Sequence, residues 1–268
     1  MSQRAELFPA QASARWRELE WDILLPEPQT PAMNLALDET LTARVGAGVR
    51  RPTLRIWSWS APCIVIGRFQ SVANEVNVEG AAERGLEVVR RISGGGAMVI
   101  EPGSAVTYSV YTPLEFVRDL SFQESYAFFD SWVIDVLLSL GIDAWYEPLN
   151  DITSSGGKIG GAAQARKYNA VLHHTTMAYD MSPGLIGSVL RIGQEKLSDK
   201  GLRSADKRVG PLRQQTNLPR DEIIDRLIDH FAFLTAARDG RLSDEERAEA
   251  EELAAEKFAN PDWTNLLP

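Results

Sequence analysis

The segment from about Ser121 to Leu140 constrains the fold most, because it carries helix signals at both ends and along its length. Ser121 and Glu124 form a capping box, and Gly141 follows at the position that glycine favours after a helix. The apolar residues between them repeat at helical spacing: Phe122, Tyr126, Phe129, Val133, Val136, Leu137 and Leu140. The segment is therefore predicted as a long helix with one face packed on a core.

Short strand-like runs lie on both sides of this helix. They are Leu54–Trp57, Cys63–Ile66, Leu86–Ile92, Met98–Glu101, Ala105–Tyr111, Ile142–Tyr146 and a pair at about 158–165 and 170–179. Pro102-Gly103 predicts a hairpin between the fourth and fifth runs. Because several runs are hairpin-linked and helices are interspersed, we expect an α+β fold: mixed or antiparallel central sheets flanked by helices.

The chain shows no repeat and no low-complexity linker, so one catalytic domain is predicted over residues 1–268. A loosely held lead-in is expected over residues 1 to about 20, a core over about 22–218 and a helical C-terminal extension over about 219–268. Helix starts are predicted at Thr30-Pro31 and Ser182-Pro183, and two helices at about 220–237 and 243–258.

Composition narrows the function classes. The net charge of −9 argues against a general nucleic-acid or membrane-surface binder. No apolar run reaches the ~18 residues of a membrane span, and the N-terminus lacks the pattern of a signal peptide. Cys63 is the single cysteine, which excludes an internal disulfide and favours a reducing cytoplasm. Three histidines predict no tightly bound metal cluster.

The segment Arg90–Ala97 reads Arg-Arg-Ile-Ser-Gly-Gly-Gly-Ala and follows a predicted strand. Three successive glycines let the backbone approach a ligand, and their N–H groups can cradle an anion. Arg90 and Arg91 offer donors for phosphate or carboxylate. The spacing matches neither a Walker A loop nor GxGxxG, and a triple glycine alone is as often a flexible surface turn.

A second segment, Asn150–Gln164, places the single lysine Lys158 among small residues. Small neighbours leave room for a ligand beside the ammonium group, which could neutralise charge developing on a phosphate or carboxylate. Asn150 and Asp151 could hold a hydroxyl or a magnesium ion. The alternative is a hairpin with an ordinary surface lysine.

A third segment, His173–Asp180, alternates as a strand does, so the two adjacent histidines, His173 and His174, point to opposite faces. A metal site formed by both is therefore disfavoured, and hydrogen-bonded structural histidines are predicted instead.

In this order, the segments resemble the lipoate–protein ligase A family, part of the wider biotin/lipoyl ligase fold group. The family's motifs are Asn-x-Ala-x-Asp-Glu, Gly-Arg-x-Gln, Arg-Arg-x-Ser/Thr-Gly-Gly-Gly-Ala, Asn-Asp followed by Gly-Lys/Arg-Lys-Ile-Ser/Gly-Gly-x-Ala, and His-Gly-Thr-Leu followed by Asp. They match residues 34–39, 67–70, 90–97, 150–163 and 174–180, and a later family segment matches 195–197, 200–204 and 208–209. The resemblance covers about residues 30–215.

The resemblance implies a lipoate–protein ligase. Lipoate or octanoate attacks the α-phosphate of ATP, supplied with Mg²⁺, and the acyl-adenylate then passes to a lysine of a lipoyl domain, on a 2-oxoacid dehydrogenase E2 or glycine-cleavage H protein. Lys158 is the implied catalytic residue, stabilising charge rather than acting as a nucleophile, and Asp151 a candidate for magnesium or ribose contact. The implied substrate- and ATP-binding residues are Arg68, Arg90, Arg91, Ser93, Gly94, Gly95, Gly96, Ala97, Asn150, Asp151, Gly160, Gly161, Ala163, His174 and Thr176.

The chain departs from the family pattern at three positions. Gly157 replaces the first basic residue of the Lys/Arg-Lys pair, Thr175 replaces the glycine of His-Gly-Thr, and Ile100-Glu101 stands where His-Asp is common. The tail beyond 219 is short for the family's accessory domain. The chain thus resembles the short members, some of which need a separate accessory subunit.

A surface that docks an acidic lipoyl domain could include Arg203, Lys207, Arg208 and Arg213.

Three alternatives stay open. An octanoyltransferase on the same fold uses a cysteine nucleophile, which in that branch precedes the Gly-Lys block, whereas Glu147–Asp151 here contains none. A biotin ligase is disfavoured because its arginine- and glycine-rich loop is absent from the sequence. A non-catalytic lipoyl-binding homologue is suggested by Gly157 and Ile100, but Lys158 and the whole glycine segment argue against it.

Overall fold

The computed structural model of the protein describes residues 11–182, 184–191 and 209–267. The strands are β1 (Asp22–Leu24), β2 (Pro28–Gln29), β3 (Thr53–Ile56), β4 (Ser58–Trp59), β5 (Cys63–Ile66), β6 (Glu87–Arg90), β7 (Met98–Ile100), β8 (Ala105–Pro113), β9 (Ala144–Glu147), β10 (Asp151–Ser154), β11 (Gly157–Lys167), β12 (Ala170–Ala178) and β13 (Arg238–Asp239). The α-helices are α1 (Gln11–Trp16), α2 (Pro31–Gly46), α3 (Val72–Glu75), α4 (Val78–Glu83), α5 (Phe122–Ser139), α6 (Leu185–Val189), α7 (Arg220–Thr235), α8 (Asp244–Leu253) and α9 (Pro261–Thr264).

Within these ranges the strands form a large sheet in the order β13-β1-β3-β8-β12-β11-β10-β9. The pairs from β3 to β9 are antiparallel, and β1 is parallel to both of its neighbours. A smaller sheet has the order β6-β5-β7, and β2 pairs with β4. The predicted α+β fold with mixed and antiparallel sheets is confirmed.

Two long helices cover opposite faces of the large sheet. Helix α5 packs against β9 and β12, and Phe129 and Leu137 on it are fully buried; burial of each such side chain contributes about 1.5–3 kcal/mol. Its predicted capping box is present, and Gly141 has φ +79°. Helix α2 begins at the N-cap Thr30 as predicted and packs against β8, β12 and the C-terminal helices. Because α2 is covered on several sides, its polar residues are buried too.

Two sequence predictions are wrong. The hairpin around Pro102-Gly103 does not form, because β7 pairs with β5 in the small sheet whereas β8 pairs with β3 and β12. The lead-in is not loosely held at its end. Trp16 is 1% exposed and stacks on Phe128 with ring centroids 4.7 Å apart, so it belongs to the core.

The C-terminal segment packs tightly on the rest of the protein. Phe231 and Phe258 are buried, and the short strand β13 extends the large sheet, which the sequence did not predict. Lys257 forms an ion pair with Glu39 at 2.5 Å, which ties the tail to α2. The predicted start at Ser182-Pro183 falls partly outside the described residues, and α6 begins at Leu185. No helix in the described ranges has the length and apolar character needed to cross a membrane.

Candidate active site

The face of the large sheet that α2 covers carries four of the predicted site residues. Gly161 and Ala163 lie two residues apart on β11, so they share a face. Across the β11–β12 ladder they pair with Thr176 and His174. Thr176 shares a hydrogen bond with Thr107 of β8, 3.2 Å between the hydroxyl oxygens. The ladder therefore brings predicted residues from two motifs together on one surface.

Lys158 projects from the start of β11 over this surface. Its Nζ lies 2.8 Å from Oδ1 of Asp151, and the lysine side chain is 21% exposed whereas the aspartate is 5% exposed. A methyl group placed on Gly161 would lie 3.5 Å from Nζ. The carboxylate therefore positions an ammonium group that is largely shielded from bulk solvent and lies beside Gly161.

Gly157 explains one departure from the family pattern. It has φ +124°, a conformation that L side chains rarely adopt. A lysine or arginine at this position would be strained in this turn. The neighbouring Lys158 carbonyl accepts a hydrogen bond from the N–H of Gly210 at 2.9 Å, so residues after 209 brace the same turn.

The glycine loop, Ser93–Ala97, lies beside the same strand face. Arg91 turns its guanidinium inward and donates to the carbonyls of Gly94 and Gly96, at 2.5 and 2.8 Å. Among the described residues, the N–H groups of Gly94, Gly95 and Gly96 donate no hydrogen bond. A loop whose carbonyls are held inward and whose N–H groups have no internal acceptor can bind an anion.

The loop and Lys158 lie close to each other along β11. A Cβ on Gly95 would lie 3.8 Å from the Cβ of Ala163, while Gly161 faces Nζ of Lys158. Two residues of a strand span about 7 Å. The ammonium group and the glycine loop can therefore contact the two ends of one small ligand group, such as an acyl phosphate.

The guanidinium of Arg90 forms its hydrogen bonds inside the protein. It is fully buried and donates to the backbone carbonyls of Gly67, Arg68, Gln70, Trp263 and Thr264. Burial lowers the pKa of Arg90, with the charge of Arg68 adding to the effect. Burial likewise lowers the pKa of Arg91 to about 10. The two arginines shape the loops from inside, so their guanidinium groups are not presented to a ligand.

Arg68 is the more open cation of this region. It is half-buried, and its guanidinium lies 4.8 Å from the ring centroid of Trp263. Trp263 also donates from Nε1 to the carbonyl of Arg90 at 2.8 Å. Sequence reasoning missed Trp263, because only the tertiary fold brings the tail to this loop.

His174 connects the loop to a buried carboxylate. Its Nδ1 lies 2.7 Å from Oδ2 of Asp38, and its Nε2 lies 2.6 Å from Oγ of Ser93. Burial lowers the pKa of His174, although the neighbouring Asp38 opposes this shift. Asp38 also accepts from Ser109 and Tyr111 at 2.8 and 2.6 Å. The predicted hydrogen-bonded structural histidines are present, and His173 binds Asp130 on the other face.

The remaining predicted residues have local roles. Asn150 donates from Nδ2 to the carbonyl of Ala162 at 2.5 Å and so fixes β10 against β11. A Cβ on Gly160 would approach the carbonyl of Thr176 to 2.6 Å, which requires glycine for close strand packing. The family-like segments at 195–204 and the basic residues Arg203, Lys207 and Arg208 lie outside the described residues, and Arg213 pairs with Asp180.

Cys63 and the carboxylates limit the chemistry further. The Cys63 side chain on β5 is fully buried, and burial raises its pKa far above the usual range, so it does not supply a thiolate. In the part of the chain that the structure describes, no group of three or more His, Cys, Asp or Glu side chains could hold a metal ion. Asp151, the candidate for a magnesium contact, is paired with the ammonium group of Lys158.

Known proteins are similar to this chain in sequence and fold. Residues 30–232 match the model of the lipoyl protein ligase A/B catalytic domain. The octanoyltransferase LipM of Kyrpidia tusciae is 29% identical over 91% of this chain and 97% of its own length. The bipartite lipoate protein ligase of Thermoplasma acidophilum, solved with its E2 lipoyl domain, superposes with a TM-score of 0.78 at 27% identity, over 93% of this chain and 98% of that one. A lipoate–protein ligase A bound with ATP superposes with a TM-score of 0.77 at 25% identity, covering 93% of this chain and 100% of that one.

Proposed function

Because the chain belongs to the lipoyl protein ligase A/B catalytic-domain family, we propose that it is an ATP-dependent lipoate–protein ligase. It adenylates lipoate or octanoate and transfers the acyl group to a lysine of a lipoyl domain, on an E2 or H protein. The observation that carries the proposal is Lys158, held by Asp151 at 2.8 Å beside a glycine loop with open N–H groups. The match to an ATP-bound ligase over 93% of this chain supports ATP as the activating substrate.

The chemistry requires charge stabilisation in both steps. An oxygen of the acyl carboxylate forms a bond to the α-phosphorus of ATP, and pyrophosphate leaves. The amine of the acceptor lysine then attacks the acyl carbonyl carbon, AMP leaves, and the amine loses a proton. Negative charge develops on phosphate oxygens first and on the acyl oxygen second. Lys158 lies where it stabilises both, and positioned donors of this kind contribute about 10²–10³ in rate.

The other site residues supply the walls and the anion contacts. The N–H groups of the glycine loop bind phosphate or carboxylate oxygens, and Arg68 neutralises a phosphate at the loop's edge. Gly161, Ala163 and Thr176 form the floor under the acyl group. Asp151 orients Lys158, and Mg²⁺ enters as part of the ATP substrate. A lipoyl-domain acceptor is supported by the similarity to a ligase solved with its E2 lipoyl domain.

The test is pyrophosphate exchange into ATP, with lipoate or octanoate present and absent. Lipoate-dependent exchange is expected in the wild type, and Lys158→Ala should reduce it about 100-fold or more. Lys167→Ala is the matched control, because Lys167 lies on the same strand and is paired with Glu39 instead. Exchange that requires no acyl acid, or that survives Lys158→Ala, would contradict the proposed role of this lysine.

An octanoyltransferase is the second candidate, favoured by the 29% identity to the octanoyltransferase LipM. Its cysteine-based form is opposed by the burial of Cys63, the single cysteine of the chain. Supplying octanoyl acyl-carrier protein without ATP separates the two candidates. Octanoylation of a lipoyl domain in that arm, with no pyrophosphate exchange in the other, would replace the ligase proposal. Exchange restored only by a second protein would instead identify an accessory subunit.

A further inference from the structure

Four buried groups join α2 to the glycine loop in one unbroken chain. Asp38 contacts His174, His174 contacts Ser93, and Arg91 donates from Nε to Oγ of Ser93 at 3.0 Å. Asp38 and Ser93 are each 1% exposed, and His174 is 7% exposed. Arg91 then holds the carbonyls of Gly94 and Gly96. The contacts from Asp38 to Arg91 are direct hydrogen bonds between side chains.

The direction of each hydrogen bond follows from the chemistry of the groups. Oδ1 of Asp38 already accepts from Tyr111 and Ser109, and a carboxylate has no proton to give. Nδ1 of His174 therefore donates to Oδ2, which leaves Nε2 of the neutral ring as an acceptor. The hydroxyl of Ser93 donates to Nε2, and its lone pairs face the guanidinium of Arg91. Each group has a single orientation that satisfies both neighbours.

The order Asp–His–Ser has the geometry of a hydrolase triad, but Ser93 is not placed as a nucleophile. Its hydroxyl is buried beneath the loop, and the Arg91 guanidinium occupies its free side. An acyl carbon cannot approach Oγ without displacing Arg91. The three residues therefore act on the loop rather than on a substrate.

We propose that Asp38, His174 and Ser93 are positioning residues that hold Arg91, and through Arg91 the glycine loop, in its anion-binding form. Gly95 supports this arrangement, because a Cβ there would lie 2.9 Å from Nη2 of Arg91. The loop adopts φ +88° at Gly95, which a free chain samples among many alternatives. That substrate binding depends on these hydrogen-bonded residues rests on the proposed ligase function. Their effect on the order of the loop does not.

The test compares Ser93→Ala, which removes the hydroxyl, with Ser93→Thr, which keeps it. Thr175→Val is the matched control, since it removes a buried hydroxyl that donates to Asp130 on the opposite face at 2.7 Å. Two readouts are used: amide hydrogen exchange of the peptide over 92–97, and KM against kcat for lipoate in pyrophosphate exchange. Ser93→Ala should speed loop exchange and raise KM, each about tenfold, with kcat changed less than KM. Ser93→Thr should restore both.

The outcomes separate the positioning role from general stability and from the proposed function. Equal thermal destabilisation by Ser93→Ala and Thr175→Val, with faster loop exchange in Ser93→Ala alone, supports the inference. Loop exchange that stays unchanged in Ser93→Ala, or that rises equally in Thr175→Val, overturns it. Should the wild type show no pyrophosphate exchange, alone or with a second protein, the ligase proposal fails, and hydrogen exchange still decides whether the Asp38–His174–Ser93–Arg91 contacts order the loop.

Discussion

His173 and His174 are neighbours on β12 with similar partners and different consequences. Each binds a buried aspartate, Asp130 for His173 at 2.9 Å and Asp38 for His174 at 2.7 Å. Each aspartate also accepts from a tyrosine of β8. The face of His174 leads to the exposed glycine loop. The face of His173 ends beneath α5, where the ring stacks on Phe129 with centroids 5.0 Å apart.

The two histidines have similar partners, so their partners do not explain the difference. The element that covers each histidine decides whether its hydrogen-bonded cluster reaches the surface. Alternation along β12 sends the two rings to opposite faces of the sheet. Helix α5 covers one face with apolar side chains and isolates the His173 cluster in the core. On the other face, the loop after β6 lies against the strands, and the same kind of cluster reaches the proposed ligand-binding surface. Perturbing matched members of the two clusters tests this comparison directly.

The largest effect is expected from His173→Leu. It removes the imidazole donor to Asp130, whose Oδ2 already lacks a partner among the described residues. Removing one donor to a buried carboxylate leaves that carboxylate short of a hydrogen bond that water cannot replace, so the free energy of unfolding should fall by about 3 kcal/mol. Urea unfolding followed by circular dichroism measures this change. KM for lipoate should stay within about twofold of wild type in the folded fraction, and a larger rise would mean that the two faces are coupled.

Local signals predicted several elements well. Helix α5 follows from its capping box and periodicity, and the β11–β12 pair follows from two adjacent strand-like runs. The partners of the long-range pairs could not be found in this way. β7 lies next to β8 in the sequence, yet its apolar residues pair with β5, because pairing between sheets depends on the whole topology.

The site shows the same division. The motifs singled out the glycine loop and Lys158, which the fold brings close together, and alternation correctly placed the two histidines on opposite faces. The sequence carried no signal that Asp38 would meet His174, since the two are 136 residues apart. It also assigned ligand contacts to Arg90, whose guanidinium instead binds carbonyls of the loop after β5 and of the tail. Burial of a charged side chain among backbone carbonyls is a tertiary property that residue type does not report.

An intermediate effect is expected from the matched pair Tyr108→Phe and Tyr111→Phe. The hydroxyl of Tyr108 donates to Asp130 at 2.5 Å, and that of Tyr111 donates to Asp38 at 2.6 Å. Both side chains are fully buried, so each change should lower the free energy of unfolding by about 2 kcal/mol, the range for hydrogen bonds to charged groups.

Activity should distinguish the two tyrosine variants. Only Tyr111→Phe loosens the carboxylate that holds His174, so it alone should raise KM for lipoate, by about two- to threefold. Denaturant unfolding and steady-state pyrophosphate exchange on both variants provide the measurements. A KM change in Tyr108→Phe of the same size would remove the distinction between the two faces.

The smallest effect is expected on stability when the pH is lowered. The pKa of His174 lies below its ordinary value of 6.5 because burial disfavours the imidazolium, with Arg91 and His173 adding to this shift and Asp38 opposing it. The unfolded chain therefore takes up a proton near pH 6.5 that the folded protein does not yet bind. Stability from this group is complete above that pH and is lost as the pH falls from 6.5 toward the folded-state pKa.

Urea unfolding between about pH 7 and about pH 5 should show this loss, with a slope of at most one proton for His174. His174→Asn keeps a donor for Asp38 and removes the titrating ring, so its stability should fall less steeply over the same range. Glu39 does not contribute to the loss of stability between these pH values. Burial alone would raise its pKa, but hydrogen bonds from Lys257 and Tyr168 outweigh that effect and lower it below 4.5, so its contribution is lost only at lower pH. If the slope of the free energy of unfolding against pH is unchanged in His174→Asn, other groups cause the loss of stability in acid. The neutral imidazole that the Ser93 contact requires would then have no support.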